Sequence, residues 1–182
     1  SLGNIKYESL VDAFARILSF YHTDKRLPGH VAINPDAKTQ SSKTISLKNV
    51  VTGATNLKAY YDKNGKLPST VTVGGITFTL PEFLYAMSQA ISQIGSSDTK
   101  NINVPVDVAA PSNPSGDAIS SDLTQKNFLT VAKNVVSYID TNKKAPNYAS
   151  SAVGKIIYSK FKSFIFSSTN LEILSFIATS SK

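Results

Sequence analysis

The sequence predicts a mainly α fold with short β-hairpins, an α+β protein made of tandem helix–hairpin–helix units. Apolar residues recur at i, i+3 and i+4, the spacing that places side chains on one face of a helix. Short alternating runs bounded by glycine and proline, such as "STVTVGGITFT" at 69–79, are typical of hairpins with tight turns. A chain of 182 residues, 41% of them hydrophobic, is long and apolar enough to bury a core.

One pattern occurs three times along the chain. "ILSFYHTDKRLP" (17–28), "LKAYYDKNGKLP" (57–68) and "VVSYIDTNKKAP" (135–146) align at offsets of 40 and 78 residues. Each copy carries apolar or aromatic residues, then Asp or Asn, then Lys or Arg, and then proline. Asn, Gly and cations favour the C-terminus of a helix, and proline ends one, so each copy predicts a helix stop.

These signals predict five helices and a hairpin after each stop. The helices are expected at 8–23, 47–63, 80–94, 123–141 and 158–178. The hairpin at 69–79 is the clearest, and poorer copies are expected at 147–159 and, with an inserted loop, at 30–46. The buried helix faces are expected to contain Leu10, Phe14, Ile17, Leu57, Tyr60, Phe83, Leu84, Ile91, Phe128, Val135, Tyr138, Phe161, Phe164 and Leu174, with Phe176 and Ile177 partly uncovered.

The chain divides into a partial first repeat at 1–46, a second repeat at 47–94, a linker at 95–122 and a third repeat at 123–182. The linker is polar and proline-broken, as a linker or extended connector would be. Residues 1–122 hold 11 basic and 10 acidic residues, whereas 123–182 hold 8 and 2, so the two parts carry +1 and +6 of the net +7. The third repeat therefore carries most of the positive charge.

Composition excludes several classes of function. The absence of cysteine rules out disulfides, thiolate metal sites and a thiol nucleophile within this chain. No apolar run approaches the roughly 20 residues of a membrane span. A chain that starts without Met and shows no signal peptide is expected to be an excised or processed piece. We expect it to be monomeric.

The sequence gives little support for catalysis, metal binding or nucleic-acid binding. His22 and His30 are the only histidines, and a serine triad would need one of them beside a nucleophile and an acid. His22, Asp24 and His30 are expected to be exposed turn residues and not the ligands of a metal site. "DKNGK" at 62–66 resembles the start of an EF-hand, yet Val73 stands where calcium requires Glu. Because the basic residues are almost all lysine and no nucleic-acid motif is present, neither nucleic acid nor any cofactor is expected.

The segment "LKAYYDKNGKLPSTVTVGGITFTLPEFLYAMSQAI" (57–91) resembles a pseudomurein-binding repeat, found in cell-surface proteins and viral endoisopeptidases of pseudomurein-walled methanogens. "APSNPSGDAIS" (110–120) and "APNYASSAVGKIIY" (145–158) are similar to the connector and variant repeat of adhesin-like surface proteins of that group. The resemblance implies a non-catalytic, extracellular, wall-associated module that attaches its protein to pseudomurein. The first repeat departs from the family at "NPDAKTQSSKT" (34–44), where a short hairpin is expected.

The helix-stop loops are the candidate binding sites, because they offer polar side chains for hydrogen bonds, aromatics for sugar faces and cations for carboxylates. The candidates are Asp24, Lys25, Arg26 and His30 in the first loop, Tyr61, Asp62, Asn64 and Lys66 in the second, and Asp140, Asn142, Lys143, Lys144, Asn147 and Tyr148 in the third. The alternative role of each candidate residue is to cap its helix or to form part of the solvated surface. The alternative for the whole chain is a structural spacer of a surface adhesin with no specific wall ligand.

Overall fold

The computed structural model describes residues 4–36, 42–118 and 123–157. The chain forms two compact units, Ser1–Ser41 and Ser42–Lys182. The predicted helix at 158–178, with Phe161, Phe164, Leu174, Phe176 and Ile177, lies outside the described residues.

The first unit contains helix α1 (Tyr7–Asp24), followed by an irregular segment through residue 36. Arg16 ties the two together, since its guanidinium donates to the Asp12 carboxylate at 2.7 Å and to the Ala32 carbonyl at 2.6 Å. Leu10 and Phe14 are exposed, by 36% and 57%, so their expected burial is wrong. The apolar periodicity located α1 correctly but did not identify which of its side chains are covered.

The second unit runs β1 (Ser42–Ile45), α2 (Leu47–Asn64), β2 (Thr70–Val73), β3 (Ile76–Thr79), α3 (Leu80–Gly95), β4 (Ile102–Pro105), α4 (Gln125–Asn142), β5 (Tyr148–Ser151) and β6 (Gly154–Ile157). Antiparallel pairs join β2 to β3 and β5 to β6 as hairpins. The four helices and two hairpins that fall within the described residues lie within a few residues of their predicted positions. The fold is α+β, as expected.

Local side chains explain where these helices begin. The Ser46 hydroxyl accepts from the Asn49 amide at the start of α2, and the Thr124 hydroxyl accepts from the Asn127 amide at the start of α4. At α3 the Thr79 hydroxyl accepts from the Glu82 amide while the Glu82 carboxylate accepts from the Thr79 amide, a reciprocal capping box. These caps satisfy N–H groups that have no partner within the helix.

The core of the second unit is centred on α3, which packs against both α2 and α4. Phe78 and Phe83 are fully buried with ring centroids 6.0 Å apart. Gly53 of α2 allows the close approach of α3, because a Cβ at this position would lie 2.7 Å from the Phe83 ring. Expected burial is confirmed for Leu57, Phe83, Leu84 and Val135, whereas Ile17, Ile91 and Phe128 are half-buried.

The expected hairpin at 30–46 is wrong. Residues 30–36 contain no strand, and β1 pairs instead with β4, antiparallel, from Ser42 opposite Pro105 to Ile45 opposite Ile102. The predicted linker at 95–122, which we call the connector, therefore supplies a strand to the start of the second unit. Ile45, Ile102 and Val104 are buried, so this pairing adds to the core and does more than bridge two repeats.

A constant offset relates the elements around α2 to those around α4. Adding 78 to Leu47–Asn64, Thr70–Val73 and Ile76–Thr79 gives the bounds of α4, β5 and β6. Adding 40 to Tyr7–Asp24 gives the bounds of α2. The three helices have equal lengths of 18 residues.

Candidate functional site at the helix ends

The candidate residues lie at the C-terminal ends of α1, α2 and α4, and we call these places the α1 corner (24–30), the α2 corner (61–66) and the α4 corner (140–148). Each helix ends in the same geometry. The residue after the helix adopts a left-handed conformation, with φ of 56° at Lys25, 65° at Gly65 and 51° at Lys143. Its amide donates to the carbonyl four residues earlier, which satisfies one of the free carbonyls of the last turn.

At the α1 corner, Asp24, Lys25, Arg26 and His30 are exposed. The Arg26 guanidinium lies over the Phe20 ring, 5.1 Å from its centroid. This cation–π contact holds the arginine near the helix while its N–H groups remain available.

At the α2 corner, two candidates have structural partners. The Asp62 carboxylate accepts from Lys58 one turn earlier, and the Asn64 side-chain amide donates to the Tyr60 carbonyl at 2.7 Å. Tyr61 is half-buried and Lys66 is exposed. Asn64 therefore caps its helix, and its side-chain oxygen remains the group that can accept from a ligand.

The α4 corner brings six candidates together on one helix end and the strand that follows. Asn142 repeats the capping role of Asn64, donating to the Tyr138 carbonyl at 2.8 Å. Lys143 and Lys144 have no ion pair among the described residues, and Tyr148 is 37% exposed. Lys155, which the sequence did not single out, lies over the Tyr148 ring at 4.8 Å from its centroid.

Asp140 is engaged with α3. Its carboxylate lies close to the buried Tyr85 phenol, which accepts from the Gln89 amide at 3.2 Å. Burial raises the pKa of Tyr85 and the negative charge of Asp140 raises it further, while the Gln89 hydrogen bond acts in the opposite direction. Asp140 therefore connects the α4 corner to the core.

The connector completes the α4 corner. The Ala109 amide donates to the Lys143 carbonyl and the Ala145 amide donates to the Ala109 carbonyl, both at 2.9 Å. The Asn147 side-chain oxygen accepts from the Asn113 amide at 2.9 Å. Asn147 therefore holds the connector, a role the sequence did not indicate because its partner is 34 residues away.

Two tyrosines that sequence reasoning assigned to the core are exposed. Tyr60 is 39% exposed and Tyr138 is 40% exposed, so their expected burial is wrong. They occupy equivalent positions four residues before Asn64 and Asn142. The signal that could have identified them is their repeated spacing from these capping asparagines.

Comparison with known families adds one finding to this geometry. Residues 41–73 match the family model of the pseudomurein-binding repeat. The match covers β1, α2, the α2 corner and β2, and it confirms the resemblance stated for this part of the chain. Neither the comparison with curated proteins nor that with solved structures found a match.

The described ranges contain no group of three or more His, Asp or Glu side chains arranged to hold a metal ion. Within the same ranges, no helix is both long enough and apolar enough to span a bilayer.

Proposed function

We propose that this chain is a cell-wall-binding module that attaches an extracellular protein to pseudomurein through several weak polar contacts. The observation that carries the proposal is the match of residues 41–73 to the pseudomurein-binding repeat. The shared end geometry of α1, α2 and α4 supports several equivalent contact points. Contacts that are weak singly retain a polymer well when they act together, because the first contact raises the effective concentration of the next.

Charge favours the α4 corner as the strongest contact with an anionic group of the wall. Residues 123–157 hold five lysines and one acidic residue, Asp140, which lies close to Tyr85. No lysine of this segment has an ion pair among the described residues. Within residues 42–94, by contrast, Lys43 pairs with Glu82 and Lys58 with Asp62.

The proposal predicts that the whole chain sediments with isolated pseudomurein sacculi and that added salt weakens this binding, since exposed charges are screened. Lys143→Gln with Lys144→Gln should lower the bound fraction more than Lys63→Gln with Lys66→Gln. Both variants remove two cations at a helix end, so the second is a charge-matched control; Lys63, Lys66 and Lys143 are exposed and Lys144 is half-buried. A chain that stays in the supernatant at every salt concentration is a spacer and not a wall binder.

A further inference from the structure

Helices α2 and α4 carry the same five side chains in the same row. Lys48, Thr52, Asn56, Tyr60 and Asn64 follow one another at intervals of four residues. Lys126, Thr130, Asn134, Tyr138 and Asn142 repeat that row in α4, at the offset of 78. Residues four apart are neighbours on a helix surface, so each set forms one continuous ridge about 24 Å long. We call this row the polar ridge.

Identity between the two helices is concentrated in the polar ridge. All five ridge positions are identical, whereas only three of the other thirteen are, as Asn49/Asn127, Ala54/Ala132 and Asp62/Asp140. The buried residues of α2 all differ from their counterparts in α4, as Leu57 differs from Val135. No residue of the hairpin at 69–79 is identical to its counterpart at 147–157.

Packing does not explain this identity, because all ten ridge residues are exposed. Helix formation explains only the last position, where Asn64 and Asn142 cap their helices. Asn and Thr are poorer helix formers than Ala, Lys or Glu, and no contact within residues 4–36, 42–118 and 123–157 explains why Asn56 and Asn134 are kept. A surface that keeps low-propensity residues in two copies, while the core beneath it changes, indicates contact with a common ligand.

The ridge chemistry fits a carbohydrate. The side chains of Asn56 and Asn134 have no hydrogen-bond partner among the described residues, so each amide can both donate and accept. The phenols of Tyr60 and Tyr138 are equally unpartnered within the described part of the chain, and their rings offer an apolar face for the C–H groups of a sugar. Neither ridge contains an acidic or aliphatic side chain.

We infer that the polar ridges of α2 and α4 bind the glycan strand of the wall polymer, with the asparagines hydrogen-bonding sugar hydroxyls and the tyrosines packing against sugar rings. This inference rests on the proposed wall binding and specifies its ligand. The family match includes the whole α2 ridge. The lysine that begins each ridge can add an electrostatic contact with an acidic sugar.

The test compares binding with stability in the whole chain. Asn56→Ala with Asn134→Ala should weaken binding to sacculi by about tenfold, since each substitution removes hydrogen bonds to the ligand. The same variant should melt at an equal or higher temperature, because Ala is the better helix former. Thr55→Ala with Ser137→Ala, neutral and exposed but off the ridge, should bind as the unmodified chain does.

Tyrosine variants and competition identify the ligand. Tyr60→Phe with Tyr138→Phe should retain most of the binding because the rings remain, whereas the two Ala substitutions should abolish it. Soluble glycan strands should compete with sacculi, and the cross-linking peptides should not. Competition by the peptides alone, or ridge variants that bind normally while the unmodified chain sediments, would overturn the inference. An unmodified chain that does not sediment would instead overturn the proposed function.

Discussion

Lys143 occupies a backbone position that is better suited to glycine. Its φ of 51° lies in the left-handed region, where a Cβ is crowded, and Lys25 shares this conformation with a φ of 56°. The equivalent residue of α2 is Gly65, which adopts the conformation without that cost. Two of the three corners therefore place a cation where stability alone favours glycine.

Lys143→Gly is expected to stabilise the second unit by about 0.5–1 kcal/mol, because the left-handed cap then carries no Cβ. The same variant should bind sacculi more weakly, since a cation is lost. Gly65→Lys is the reciprocal variant and should destabilise by a similar amount. Urea denaturation gives both values, and a Lys143→Gly variant that is no more stable than the parent chain would contradict this account of the strain.

Glu82 is the buried acid of the second unit and joins three segments. It is 3% exposed, accepts from Lys43 at 2.7 Å and from the Thr79 amide at 2.8 Å, and receives the Asp107 amide at 3.3 Å. Burial alone would raise the pKa of Glu82, but the hydrogen bonds and charge of Lys43, with the two backbone amides, hold it below its ordinary value of 4.5.

Because the pKa of Glu82 is lower in the folded state than in the unfolded state, its stabilising contribution is present above about pH 4.5 and is lost as the pH falls through the folded-state pKa. Glu82→Gln should cost about 2–3 kcal/mol at neutral pH, since Lys43 is left without its partner. The free energy of unfolding of this variant should also fall less steeply as the pH is lowered. Urea denaturation between about pH 3 and pH 7 measures both, and parallel pH profiles would exclude this role for Glu82.

At the scale of elements, helix positions could be predicted because their signals are local. Apolar spacing, the caps Ser46 and Thr79, and the stops at Asn64 and Asn142 lie within a few residues of the helix ends that they determine. Strand partners could not be predicted, because β1 and β4 lie about sixty residues apart and neither segment encodes its partner.

For the candidate site, the sequence predicted the helix ends on which the residues lie, and the binding role of those residues stays a prediction. The helix-stop pattern located the three corners, yet it could not separate capping from binding, and Asn64 and Asn142 do cap their helices. The exposure of Tyr60 and Tyr138 depends on which side of each helix α3 covers, which is a tertiary property. Aromatic residues on an apolar face are usually buried, so local reasoning favoured the wrong environment.

For the molecule as a whole, the connector holds the second unit together along its described length. It supplies β4, bonds to the α4 corner through Ala109 and Asn113, and reaches β6, where the Asp117 carboxylate accepts from the Lys155 amide at 2.7 Å. Gly116 packs directly on that strand, since a Cβ there would lie 2.6 Å from the Ile157 amide nitrogen. The connector is thus part of the fold from residue 102 to residue 117.

Gly116→Ala should displace the connector from β6, because backbone atoms cannot move aside as a flexible side chain can. We expect faster proteolysis within residues 106–118 and faster amide exchange at Asp117 and Lys155, both of which donate across this contact. Gly29→Ala is the control, since no atom lies within 4 Å of a Cβ at that position. If the two variants were equally resistant to proteolysis and amide exchange, the Gly116 contact would not be what holds the connector against β6.

The pairing of β1 with β4 has a consequence for how the chain can be divided. During synthesis β1 emerges about sixty residues before its partner, so this contact closes late, and until then the strand presents unpaired N–H and C=O groups. A fragment that ends after α3, at a repeat boundary, would lack β4 and leave the edge of β1 unpaired. Such a fragment would tend to self-associate. A recombinant fragment that begins with β1 should therefore extend at least through Pro105.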